Sequence, residues 1–553
     1  MNKRKHIFLK VLTLVLFCSI RVIAFGQQNQ SVSSTDTTAI NRARIELIYA
    51  DKGLGSQQKH PDTFIFVGNV HFKHKGMHLF CDSILLFSST NSVEAFDNVR
   101  MEQGDTLYIY GDYLYYDGQK ELARLRNNIR MENITTTLTT DSLNYDRRLD
   151  LGYYFNGGIL ADTINVLESD WGEYSPATKV AKFKKEVQLS NNQMELYSDT
   201  LVYNTVNNIA TILGPSEIVS AGNRIHTTKG YYDTTKEKSE LFNRSSVYTD
   251  RKILTGDSIY YDKLKGVGEA FSNVILNDTI NRNQLAGDYC FYDELSQYAF
   301  ATGRALAVDY SQGDSLYIHG DTLKLNTFHL NTDSVYREIR VYDKVRIYRS
   351  DLQGVCDTLV YNSNDSCIVM RNEPVIWNET QQLLGEEIRI YMNDSTIDWA
   401  HIENQALVVE QKDSIHYNQI AGKEIKAYFN QGEIYRVDVI GNVLVGFYPE
   451  EKDKSMLGLI SAETSLLNIY ISQMQLQRLV MSPSSNGILY PLSQIPEDKL
   501  YLKNFVWLDY VRPRSKNDLF DWRPKKPEHQ LKESTPRSSA PKVDPKSMMR
   551  NRK

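Results

Sequence analysis

Cysteine is scarce in this sequence: five in 553 residues, with no CxxC pair. That argues against redox or metal-thiolate work. Past residue 26 no apolar run approaches the length of a membrane-spanning helix. HExxH, GxSxG, a phosphate-binding loop and a dinucleotide glycine pattern are all missing, so no catalytic motif emerges and an enzyme is not expected. The dense Gly and Asp spacing of calcium-binding β-rolls is missing too. An excess of positive charge is lacking where nucleic acid would need it. Residues 27–522 hold 48 Lys/Arg against 65 Asp/Glu, a net charge of −17.

What the chain has is tyrosine, 35 of them, beside plentiful Thr, Val and Ile. That composition favours strands. The first residues, "MNKRKHIFLKVLTLVLFCSIRVIAFGQQ", join a basic start to an apolar run and small residues around Phe25. This is a secretory signal over 1–26, cut before Gln27, with a linker over 27–43. Export permits disulfides. However, Cys81 and Cys356 stand many repeats apart, and free thiols are expected. Residues 523–553 hold ten Lys/Arg, three Asp/Glu and five Pro, the composition of a disordered basic tail.

The dominant signal is a repeat. "SDTLVYNT" (198–205) returns as "CDTLVYNS" (356–363). The same phrase, more or less worn, heads at Asp82, Asp112, Asp141, Asp170, Asp199, Thr228, Asp257, Asp288, Asp321, Asp357, Glu386, Lys423 and Glu463, with five consecutive steps of 29 from Asp112 to Asp257. A second marker, a polar pair before alternating apolar residues, travels with it: "GNVHF" (68–72), "DNVRM" (97–101), "NNIRM" (127–131), "SNVIL" (272–276), "GNVLV" (441–445). Both have the period of two that half-buried strands show. The polar pair reads as a turn, making each unit three or four short strands. The leading Asp reads as a turn cap that accepts local backbone N–H bonds, not as a ligand. Units of this kind bury an apolar face only by stacking. The expected fold is all-β: an elongated jelly roll or solenoid of about thirteen repeats of roughly 30 residues. It spans residues 44–470, and 471–522 form a closing region that caps the last strand.

"FVGNVHFKHKGMHLFCDSILLF", "GDSIYYDKLKGVGEAFSNVIL", "IGNVLV" and the start "RIELIYADKGLG" (44–55) together resemble the OstA/LptA-like family of Gram-negative envelope proteins. The resemblance implies a V-shaped or jelly-roll β fold that holds lipopolysaccharide acyl chains between two sheets. It also implies a periplasmic or outer-membrane-associated location, with lipopolysaccharide or lipid A as partner. Other LptA-like β domains would stack on its strand edges, and an outer-membrane assembly protein is a further candidate partner. The chain is several times longer than the short periplasmic members and lacks the large barrel of the outer-membrane relative.

On this reading the lining comprises Val70, Phe72, Val99, Met101, Ile129, Met131, Leu143, Tyr145, Val187, Leu189, Leu201, Tyr203, Ile259, Tyr261, Val274, Leu276, Leu359 and Tyr361. No cofactor or metal is expected. His71, His74 and His78 read as a surface cluster, with His74 and His78 on one side. The competing reading is a rigid β spacer with no lipid cargo, in which the same inward rows are plain core.

Overall fold

The computed structural model describes residues 43–531, except 57–59, 250, 312, 394–395, 452, 454 and 474. The expected signal, most of the linker and the end of the basic tail lie outside the described residues. The rest is all-β. Thirty-seven strands form one antiparallel sheet, in which each long strand pairs with the chain just before it and just after it. Among the described residues the remaining regular elements are short 3-10 turns after Pro491.

The repeat unit differs from the expected three or four short strands. Its polar pair is not a turn. In Ser92–Gln103 the residues Asp97 and Asn98 sit in mid-strand, both left-handed, with φ of 61° and 48°. Phe96 pairs with Tyr113 and Val99 with Gly111, so two residues oppose one and the strand bends. Asn127–Asn128, Lys185–Glu186, Ser272–Asn273 and Asp343–Lys344 repeat the geometry. Asn and Asp tolerate the left-handed region, which accounts for their presence in most of these pairs, though Lys185–Glu186 has neither. The runs before and after the pair are thus one strand, and a unit is two long strands. Nine of these long strands are split at the bend, so the 37 strands make 28 rungs. For example, Leu151–Tyr154 and Gly158–Ala161 both pair with Thr136–Asp146.

Bends stacked rung on rung fold the sheet lengthwise along a corner. One wall carries segments such as 77–81 and 99–103; the other carries 83–87 and 113–117. Hairpin turns line the free rim of each wall, and the two rims face each other across a mouth. At about 4.8 Å per rung the array is roughly 130 Å long.

The conserved rhythm of Asp also has a different cause from local capping. Asn98 donates to Asp82 (2.7 Å), Asn128 to Asp112 (2.6 Å) and Asn273 to Asp257 (2.7 Å), each pair bridging two rungs at the corner. Turn capping falls to the acid that ends the phrase. Asp117 accepts from the backbone N–H of Gln119 and Lys120, and Asp233 from those of Thr235 and Lys236.

The sheet continues past residue 470, through Gly458–Ser472 and Gln475–Pro491. The chain then turns back and packs as a strap on the outer face of one wall, between Leu500 and Leu531. It does not cap the last rung. Gln475–Pro491 pairs on one side only and is exposed along most of its length. Three buried glutamines hold the strap. Gln382 donates to the Val506 carbonyl (2.8 Å) and accepts from the Leu508 N–H (2.7 Å). Gln419 does the same with Leu500 and Leu502. Gln353 accepts from Arg512. Val506, Leu508 and Val511 then cover Trp377, Leu407 and Val409. The packed segment runs beyond the expected tail boundary at 523: Lys525 pairs with Glu373 at 3.3 Å, and the Leu531 N–H donates to the same carboxylate.

Candidate functional site

The interior between the walls is the candidate site. In the first half of the array it is a tight core. Leu114 and Tyr116, Leu143 and Tyr145, Leu201 and Tyr203 are all 0% exposed. Each such side chain contributes roughly 1.5–3 kcal/mol by leaving water. Of the eighteen expected lining residues, fifteen are buried along the array. The exceptions are Tyr261, Leu276 and Tyr361, which are half-buried.

A row of polar contacts latches the mouth of this half. Tyr116, Tyr145, Tyr174, Tyr203, Tyr232 and Tyr261 recur every 29 residues and point inward near one rim. Several of their hydroxyls reach the opposite rim about three rungs earlier. Tyr203 donates to Asp162 (2.6 Å) and accepts from the buried Asn165 (2.7 Å). Tyr116 bonds to His74 (2.7 Å) and accepts from Arg147 (2.8 Å). Asn223 donates to Tyr261 (3.2 Å). Lys75–Glu121 (2.6 Å) and Lys263–Ser220 (2.6 Å) add further ties. Burial, before any hydrogen bond, pushes the Tyr116 and Tyr261 hydroxyls up to about 12, so they stay protonated donors and acceptors. Burial likewise holds His74 below its ordinary range.

Lys252 to Tyr292 (2.9 Å) is the last such tie; among the described residues none spans the mouth beyond it. From that point burial of the inward face falls off toward the mouth. Residues next to the corner remain buried, such as Val341, Leu359, Met370, Ile388, Ile402 and Val439. Their inward neighbours nearer the mouth are only half-buried: Ile339, Tyr361, Ile368, Ile390, Val437 and Ile469 on one wall, and Leu316, Ile318, Leu352, Leu383, Val408 and Ile420 on the other. The result is an apolar trough with a packed floor and exposed sides. A small packing gap lies within the last latches, near Ile225, Tyr232 and Tyr261.

The histidines are arranged differently from expectation. His74 turns inward to the Tyr116 latch, while His71 and His78 meet on the outer face at 2.9 Å. The hairpin at Lys75–Gly76 sets Lys73 opposite His78, so counting by twos across the turn fails. The four cysteines of the array are buried free thiols. Among the described residues no cluster of three or more His, Cys, Asp or Glu side chains is placed to hold a metal ion.

The family model described as "OstA-like protein" matches residues 42–199 and 178–252. The chain carries an OstA-like region. Both matches fall in the latched half, and the ladder of strands continues from there into the trough. Among solved structures, LptH of Pseudomonas aeruginosa is similar over 22% of this chain and 82% of its own, at 14% identity and a TM-score of 0.18. It is described as the LptA-homologous periplasmic component of a lipopolysaccharide transport device. No curated protein matches the sequence.

The sequence did not give away the outer-face site of the strap, although a signal was present. "VIWN" (375–378) and "ALVV" (406–409) are continuously apolar, and a strand buried on both faces reads that way.

Proposed function

We propose that this protein is a lipopolysaccharide-transport component of the periplasm that holds lipid acyl chains between its two walls. The observation that carries this reading is the double row of half-exposed apolar side chains facing the mouth of the trough. A contiguous apolar surface of this kind on an exported chain marks a binding site. Each acyl methylene withdrawn from water contributes about 0.8 kcal/mol, so several chains bind firmly with no catalytic chemistry. Phosphates of the head group stay in water at the rim, beside cations such as Arg337 and Arg349. The resemblance to the OstA/LptA-like family supports lipopolysaccharide, through its lipid A part, as the cargo.

The two end rungs supply the bridging function. Glu46–Tyr49 is exposed along its length, and Gln475–Pro491 has a free edge. Either edge can add a strand from another β domain. The rigid-spacer reading retains one observation in its favour, the packed latched half.

Mass spectrometry of protein purified from its native envelope in mild detergent tests the carrier reading. Lipid A should accompany the folded chain in about stoichiometric amount. Folded protein free of lipid, which also fails to take up added lipid A, would leave the spacer as the better account.

A further inference from the structure

The array is uniform in sequence pattern but not in what it leaves open. "DTLVYN" occurs at 199–204 and again at 357–362. In the first copy Tyr203 is fully buried and bonded to Asp162 and Asn165 across the mouth. In the second, Tyr361 is half-buried, with no such tie to the opposite rim among the described residues. Two further observations change at the same place. Cross-mouth contacts end at Lys252–Tyr292. The strap, held at Gln353, Gln382 and Gln419, lies behind the unlatched part and braces one wall from outside. One half is thus held shut from within, while the other has a wall supported from behind and its mouth free.

We infer that the acyl-chain site is confined to the trough between Leu316 and Met481, and that cargo does not thread the latched half. This rests on the carrier reading. Entering the first half would require breaking a succession of buried polar ties and displacing a core that has no empty lane. Entering the trough requires neither. The latched half then acts as a dry arm that carries the N-terminal edge, and the braced half is the cargo compartment. The site takes the acyl chains of a lipid broadside through the mouth, with the head group left outside.

The test uses the full-length chain in cells, with a photo-crosslinking residue at equivalent inward positions. Tyr361→p-azidophenylalanine and Ile390→p-azidophenylalanine probe the trough, and Tyr203→p-azidophenylalanine probes the latched half. Phe183→p-azidophenylalanine is a second probe there, because Phe183 is inward and buried yet has no hydroxyl bond to lose. Protease resistance confirms that each variant is folded. Lipid A adducts at Tyr361 and Ile390, at least tenfold above those at Tyr203 and Phe183, are expected. Comparable adducts in the latched half would overturn the confinement while leaving the carrier reading intact. Absence of adducts at all four positions, with lipid A still co-purifying, would overturn it as well, since the cargo would then lie elsewhere. Absence of co-purifying lipid would remove the carrier reading itself.

Discussion

His74 shows how one side chain closes the N-terminal end. Its Nδ1 accepts from the Tyr116 hydroxyl, and its Nε2–H donates to the Ala43 carbonyl at 3.0 Å. The first bond needs the neutral ring, because a protonated Nδ1 has no lone pair to accept with. Burial depresses its pKa first and outweighs the Ala43 hydrogen bond, which favours the charged ring; Arg147 and Lys75 push down with burial, against Glu121. A base whose folded pKa lies below its unfolded value leaves stability unchanged above that value and lowers it as pH falls. Protection of the first rungs against hydrogen exchange should therefore be flat above pH 6.5 and drop below it. His74→Gln should flatten that dependence. A wild-type profile that stays level down to pH 5 would contradict the account. The residue scale also shows what the sequence made legible. Alternation placed Leu201, Tyr203, Leu359 and Tyr361 on the inner face, and all four are there. Whether that face is shut or open was not legible, because Tyr203 and Tyr361 sit in the same six-residue phrase. Their fates are decided by partners about forty residues earlier.

At the scale of the element, the bent strand and the strap are the informative pieces. Gly, Asn and Asp serve both tight turns and left-handed bulges. A reading by residue type therefore took "DNV" and "NNI" for strand ends. The 29-residue period was legible nonetheless, because insertion or loss at a bend breaks the ladder on both sides. The strap depends on side-chain amides that substitute for a neighbouring strand. Gln382→Ala would orphan the Val506 carbonyl and the Leu508 N–H in a buried site, at a cost of about 3 kcal/mol to strap docking. Hydrogen exchange should accelerate across residues 499–512 and leave rungs before residue 250 untouched, because rungs communicate only with neighbours. Loss of protection throughout the chain would mean that the strap supports the whole array.

For the whole molecule, shape is the testable property. A compact chain of this length has a radius of gyration of about 24 Å. A rod of 28 rungs has one on the order of 38 Å. Small-angle scattering should yield the larger value, with a cross-section that does not change with concentration. A value near the compact one would refute the single folded sheet. If copies or partners join at the end rungs, length should grow in whole multiples while the cross-section stays fixed.

The bend geometry has a consequence for ancestry as well as for shape. A two-rung unit is specified by two left-handed residues and the apolar pairs that flank them, and nothing in it depends on the total number of rungs. Copying one 29-residue unit in the gene lengthens the product by two rungs, about 10 Å, and disturbs only the hairpins at the insertion point. Such a chain is a ruler whose graduations can be added or erased singly, so its length can change one unit at a time.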